Sequence, residues 1–166
     1  IVESIESVED GLFCSILQLN STTGTLHKVA APSLPGFYND AIDGMEIGDE
    51  VGSCGAAAFH KRRVVVADIL NHPNWERARR LIEKTELRSC WSQPIFSNEG
   101  EVLGTFAIYY TKPREPGPFE LDLISSAADL TALAISHKQA MSALQRSDQL
   151  KSEFISTAAH ELNTPL

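Results

Sequence analysis

Arg88-Ser-Cys-Trp-Ser-Gln-Pro-Ile-Phe-Ser-Asn-Glu-Gly-Glu-Val-Leu-Gly-Thr-Phe-Ala-Ile-Tyr-Tyr110 decides the fold. Residues 88–96 are rich in strand formers, Ser97-Asn98-Glu99-Gly100 is a hairpin turn, and 101–111 form the returning strand. The returning strand is apolar on both alternating sets, Val102, Phe106 and Ile108 against Leu103, Ala107 and Tyr109. Such a strand belongs in the middle of a sheet with both faces covered.

Upstream, Val2, Ile5 and Val8 are spaced as on a helix that Gly11 ends. Residues 12–19 and 25–31 are two more strands around the Asn20–Gly24 turn, a second hairpin. Pro32 to Gly36 is loop, 37–43 a short helix or irregular stretch, and 44–53, with three glycines, another loop. Cys54 to Lys61 is a short helix and Val64-Val65-Val66 a brief buried strand. Asn71-His72-Pro73-Asn74 is a turn whose Asn74 is expected to cap a helix over 75–85. The fold class is α+β, an antiparallel sheet flanked by helices.

Downstream, Glu115-Pro-Gly-Pro118 breaks the chain, and no Pro or Gly interrupts it from there to Thr164. Pro118 suits a first helical turn, and Glu120 and Asp122 match the positive end of the helix dipole. The expected helix is about 69 Å long at ~1.5 Å per residue. A 4-3 spacing runs through Leu130, Ala134, His137, Met141 and Leu144, breaks at Asp148 and Lys151, and resumes on Leu150, Phe154 and Ala158. A seam that narrow predicts a parallel coiled coil made by homodimerisation, with a register change at the polar break.

Composition narrows the function. The 166 residues carry a net charge of −8, which argues against nucleic-acid binding. The basic clusters Lys61-Arg62-Arg63 and Arg77/Arg79/Arg80 are short and diluted by acids, so they read as solvated faces. Three cysteines without a C-x-x-C pair fit reduced thiols and a cytoplasmic location. No apolar run approaches the ~18 residues of a membrane span. The chain starts on Ile1 and has no signal-peptide pattern, so the parent protein is expected to be longer at both ends.

The succession Gly48-Asp-Glu-Val-Gly-Ser-Cys-Gly-Ala-Ala-Ala58, Val64-Val-Val-Ala-Asp-Ile69, His72-Pro-Asn-Trp75, Arg88 to Ile95 and Gly100 to Tyr110 resembles a GAF domain of the bacterial signalling type over roughly residues 1–140. The resemblance implies a small-molecule pocket on one face of the sheet. It would be lined near Ser53 and Cys54, near His72 and Trp75, and by the strand holding Cys90 and Ser92. The turn Gly52-Ser53-Cys54 opens a helix with free N–H groups suited to an anionic or polar ligand group. Trp75 offers a ring for stacking, or is a core aromatic like Trp91. The resemblance names no ligand. The Asp-Ile-Pro signature of bilin-binding relatives is replaced by Asp68-Ile69-Leu70, and the acidic-aromatic motif of cyclic-nucleotide binders is missing. His27, His60 and His72 are the axial candidates for haem, and no local pattern singles one out. Cys54 at a helix start is a redox candidate, whereas Cys14 and Cys90 read by default as small buried hydrophobes. No metal site is expected.

The last residues, Asp148-Gln-Leu-Lys-Ser-Glu-Phe-Ile-Ser-Thr-Ala-Ala-His160-Glu-Leu-Asn-Thr-Pro-Leu166, are similar to the start of the dimerisation and phosphoacceptor domain of histidine kinases. Asn163 stands where that family usually has Arg. The resemblance implies that His160 is the phosphoacceptor, Glu161 the proton acceptor or orienter, and Thr164 the residue that positions water for dephosphorylation. Imidazole is a nucleophile that is neutral near pH 7, and Pro165 is expected to bend the helix just past the site. ATP and Mg²⁺ would come from a separate domain of the parent, and a response regulator receiver domain would take the phosphoryl group. The expected divisions are a sensor core at 1–117, a signalling helix at 118–150 and the truncated start of the phosphotransfer domain at 151–166, inactive alone. Two competing readings are a thiol or methionine sulfoxide reductase acting through Cys54 and Cys90, and a non-catalytic ligand-binding adaptor.

Overall fold

A computed structural model describes residues 1–165. Leu166, the last residue of the resemblance to a phosphoacceptor box, lies outside the described residues. Residues Ile1–Ala132 form one compact unit, and Leu133–Leu166 belong to a second.

The first unit is built on one antiparallel sheet of six strands. They are β1 (Leu12–Asn20), β2 (Thr25–Ala30), β3 (Met45–Glu46), β4 (Val64–Val66), β5 (Ser89–Phe96) and β6 (Val102–Tyr110), in the spatial order β3-β2-β1-β6-β5-β4. The two hairpins β1–β2 and β5–β6 meet along β1–β6. The doubly apolar β6 therefore lies between β1 and β5, and eight of its nine residues are buried, all but Leu103. Gly104 is required there: a Cβ on it would meet the Leu17 carbonyl oxygen at 2.0 Å.

Register sorts the sheet into two faces, because side chains alternate along each strand. Opposed pairs Phe13↔Tyr109, Ser15↔Ala107, Leu17↔Thr105, Cys90↔Tyr109, Ser92↔Ala107 and Val66↔Cys90 share one face. Cys14↔Ile108, Ile16↔Phe106 and Trp91↔Ile108 share the other. The first face carries the main core, in which Leu17, Val66, Cys90 and Tyr109 pack with Tyr38, Ile69, Trp75 and Ile82 from the connections that cover it.

Those connections are α2 (Gly36–Ile42), α3 (Cys54–His60) and a mostly 3₁₀ segment. The segment comprises Ile69–Asn71, Pro73–Ala78 and a single α turn, α4 (Arg79–Ile82). The expected helix over 75–85 is thus replaced by a 3₁₀ segment, and its cap is His72 rather than Asn74. His72 Nδ1 accepts the Asn74 N–H at 3.2 Å, and Pro73 occupies the first position. Asn74 turns away, and its Nδ2 donates to the Gly52 carbonyl at 3.1 Å. The loop 44–53 also contains an unexpected element, β3, whose two residues pair with Thr25 and Leu26.

Near the other face lie α1 (Val2–Glu6) and the first turns of α5 (Pro118–Leu162), where Ile124, Ala127, Ala128 and Thr131 are buried. Arg63 joins this start of α5 to the sheet: its Nε donates to Gln93 Oε1 at 2.7 Å and its guanidinium to Ser125 Oγ and the Leu121 carbonyl. Arg114 lies 4.3 Å over the Tyr110 ring and 5.7 Å from the Trp91 ring, and pairs with Glu9 and Glu120. Glu120 also accepts the Gly117 N–H, half of a capping box around Pro118.

In the second unit, α5 continues to Leu162 with Leu133, Met141, Leu144, Leu150 and Phe154 exposed. It stops short of the expected Thr164. A proline disfavours helical backbone in the residue before it, so the helix ends at Leu162, three residues before Pro165, instead of being bent by it. Among the described residues no helix is long and apolar enough to cross a membrane.

Candidate functional site

A cavity of about 350 Å³ opens between the sheet and the connections on the Cys90 face, within the range of pockets that take small ligands. Leu17 and Tyr109 contribute from the sheet, Tyr38 and Ile42 from α2, Val51 to Cys54 from the loop and the start of α3, and Trp75, Ala78 and Leu81 from the 3₁₀ segment and α4. Exposed Glu46, Glu50 and Arg77 also line it, so charge is confined to side chains that reach solvent.

The entrance of α3 is held by local bonds. Gly52 and Asn74 are reciprocally paired: the Gly52 N–H donates to the Asn74 carbonyl at 2.8 Å, and the Asn74 side chain returns to the Gly52 carbonyl. Gly52 takes φ +53°, with the Trp75 ring 3.7 Å from where its Cβ would be. Trp75 is 5% exposed; its indole N–H donates to Ser53 Oγ at 3.2 Å, and Ser53 Oγ donates to the Cys90 carbonyl at 3.3 Å. Trp75 is therefore both a core aromatic and a cavity wall. The expected anion site is altered, because the Gly52 N–H already has an acceptor.

Cys54 and Cys90, 36 positions apart, come together below this wall. Both are buried and reduced. Cys54 lines the cavity, whereas Cys90 is covered by α3 and does not. The neighbouring Cys90 thiol is the largest influence lowering the Cys54 pKa from 9.0 to about 7. Burial opposes the shift. Ser92, Thr105 and Tyr109 hydroxyls support it, with Tyr109 Oη 3.9 Å from Cys54 Sγ. Ser92 Oγ and Thr105 Oγ1 are buried and make no hydrogen bond. Burial holds Cys90 protonated well above the ordinary thiol range, and the Cys54 charge adds to this. Burial likewise raises Tyr38 and Tyr109. Cys14 sits on the opposite face, held protonated by burial and by Glu6.

Of the six sequence-predicted pocket residues, Ser53, Cys54 and Trp75 line the cavity. Cys90 and Ser92 lie one layer beneath it, because α3 packs over β5. His72 does not line it, since its ring caps the 3₁₀ segment. Tyr38, Tyr109, Ser15 and Thr105 escaped the sequence reading. The alternation of β6 against β5 puts Tyr109 opposite Cys90, a usable signal for one of them.

In the second unit His160 and Glu161 are exposed. Thr164 lies beyond the helix, and its hydroxyl donates to the His160 carbonyl at 2.9 Å, capping the last turn. Among the described residues no cluster of three or more His, Cys, Asp or Glu side chains could hold a metal ion.

Comparison with known proteins agrees with this architecture. The chain is 38% identical over 148 residues to the methyl sulfide methyltransferase-associated sensor of Methanosarcina acetivorans; the match covers 89% of the chain and 15% of that protein's length. A domain assigned to a two-component sensor histidine kinase protein of Sinorhizobium meliloti 1021 superposes with TM-score 0.69 at 19% identity, covering 87% of this chain and 92% of that one. The type II free methionine-R-sulfoxide reductase of Thermoplasma acidophilum superposes with TM-score 0.63 at 19% identity, covering 79% and 84%. At these identities the two superpositions establish the fold alone. The profile of the GAF domain matches residues 1–136, and the chain belongs to the GAF domain family.

Proposed function

We propose that the chain is the sensory region of a two-component sensor histidine kinase. A small molecule or redox event in the cavity biases the chemistry of His160 through α5. The observation that supports this most is one uninterrupted helix, Pro118–Leu162, that starts on the Arg63 and Arg114 contacts behind the sheet and includes His160. In this reading the core is 1–117, the signalling helix 118–150, and 151–166 opens the phosphotransfer domain. His160 attacks the γ-phosphate of ATP, presented with Mg²⁺ by another domain of the parent. Glu161 takes or orients the proton on the other ring nitrogen, and Thr164 positions water for dephosphorylation. A response regulator receiver domain accepts the phosphoryl group. The exposed Leu130, Met141, Leu144, Leu150 and Phe154 form the seam of a parallel homodimer, and the parent operates in the cytoplasm. Incubation of the full-length parent with labelled ATP and Mg²⁺ should label the native protein and leave the His160→Gln variant unlabelled. Equal labelling of the two would overturn the reading.

A thiol reductase is the second reading, favoured by Cys54 and Cys90 sharing one buried cluster beside the cavity. Turnover of free methionine sulfoxide by the isolated chain, lost in Cys54→Ser, would establish it.

A further inference from the structure

We propose that Cys54 and Cys90 are a dithiol–disulfide pair, oxidised by hydroperoxides that enter the cavity. The proposal rests on the cavity being the sensory site and specifies the redox form of its signal. Sheet register carries Cys90 to the cavity face and Cys14 to the opposite one, so only two of the three thiols can meet. Of these two, Cys54 lines the cavity and Cys90 lies under α3. Attack and resolution are thereby divided between a sulfur that faces the cavity and one that does not. Ser53 Oγ donates to the Cys90 carbonyl at 3.3 Å, which seats the start of α3 on β5, and Cys54 Sγ lies 3.9 Å from the hydroxyl of Tyr109, the residue directly opposite Cys90. Two hydroxyls on the same face of the sheet, on Ser92 and Thr105, are buried with no hydrogen-bond partner. Leaving a buried hydroxyl unpaired beside a neutral thiol is unfavourable; beside a thiolate the same group stabilises the charge.

The chemistry balances. The Cys54 thiolate attacks one peroxide oxygen, the O–O bond breaks, and the alkoxide or hydroxide released takes a proton from water, leaving a sulfenic acid on Cys54. The Cys90 sulfur then attacks the Cys54 sulfur. The S–O bond breaks, and the hydroxyl leaves as water with the Cys90 proton. Two thiols and one hydroperoxide become a disulfide, an alcohol or water, and a further water. The new bond would tie α3 to β5 one residue before Trp91. The Trp91 indole N–H donates to the Arg114 carbonyl, and Arg114 pairs with Glu120 in the first turn of α5. Oxidation at the cavity thereby reaches the start of the helix within the first unit.

The test treats the reduced chain with equimolar hydrogen peroxide and maps its thiols by alkylation and peptide mass. Expected is one intramolecular Cys54–Cys90 link, reversed by dithiothreitol, with Cys14 free. In Cys90→Ser, Cys54 should stop at a sulfenic acid trapped by dimedone; in Cys54→Ser, Cys90 should stay unoxidised. Two free thiols after treatment, a link between chains, or equal oxidation of Cys14 would overturn the proposal. Native alkylation of Cys54 by iodoacetamide separates the two levels. If Cys54 is alkylated in the folded chain but no link forms with peroxide, the cavity stands and the pair fails. If neither occurs, both fail.

Discussion

At the scale of single residues, the unusual group is Cys54, a thiol whose pKa falls although it is buried. Burial disfavours a thiolate, so the hydrogen bonds must outweigh it. The groups facing it are Cys90 and Ser92 on β5, Thr105 and Tyr109 on β6 and Tyr38 on α2, with Glu46, Glu50 and Arg77 around the same cavity. None of the causes of the shift is a cation, so the shift is a hydrogen-bond effect and should depend on individual donors. Alkylation of Cys54 by iodoacetamide, followed against pH, should have its midpoint near 7. Cys90→Ala should raise the midpoint most, because the Cys90 thiol is the largest influence, and Tyr109→Phe should raise it less. A midpoint at 9.0 in the native chain, or one unmoved by Cys90→Ala, would contradict the donor account. Gly104 makes the second residue-scale prediction. A methyl group there meets the backbone of β1 at the Leu17 carbonyl, which cannot rotate away as a side chain can. Gly104→Ala should therefore destabilise the first unit by about 3 kcal/mol or more, at the upper end of overpacking costs, seen as a lowered urea midpoint. An unchanged midpoint would show that β1 and β6 separate freely at this point.

At the scale of elements, α5 begins on a cluster that combines several weak contacts. Arg114 is about one-third exposed, so its pairs with Glu9 and Glu120 are screened and individually small. Its stacking on Tyr110 adds roughly 0.5–1 kcal/mol at such a site. Arg114→Ala should cost about 1–2 kcal/mol in total and speed amide exchange over 118–124 more than over β6. Uniform exchange changes would place the effect in the sheet instead. The two hairpins, the position of β6 and the long helix were legible in the sequence, because alternation, turn residues and the absence of Pro and Gly are local signals. The segment 72–85 was not. Asn74 has the chemistry of a cap, but Gly52 competes for it from 22 positions away, and His72 takes the capping role. β3 was likewise hidden: two residues in a glycine-rich loop become a strand only by pairing with β2. At the site, Ser53, Cys54 and Trp75 followed from local motifs. The depth of Cys90 and Ser92 depends on α3 packing over β5, and the contribution of Tyr38 on α2 crossing the same face, neither of which a linear pattern reports.

At the scale of the whole molecule, the buried acids predict how stability changes with pH. Cys54 has its folded pKa lowered, so its contribution is absent below about 7 and grows up to the unfolded value near 9.0. Cys14, Cys90, Tyr38 and Tyr109 behave oppositely: burial raises each in the folded state. Tyr110 is pushed up to about 12, by burial first and then by Glu9. Each of these five keeps its proton in the folded chain after the unfolded chain has lost it. Their stabilising effect is full below the unfolded values of 9.0 for the thiols and 10.0 for the phenols, and is lost as pH rises beyond them. The urea midpoint should accordingly rise slightly from pH 7 to 9 and fall steeply from 9 to 11. Cys54→Ala should abolish the rising arm and leave the falling one. A midpoint level between pH 9 and 11 would mean that the buried phenols and thiols reach water before global unfolding. All six groups lie between Cys14 and Tyr110, within the compact unit Ile1–Ala132. The titration therefore reports on the sheet and its cavity, and Leu133→Glu, on the exposed part of α5, should leave both arms in place.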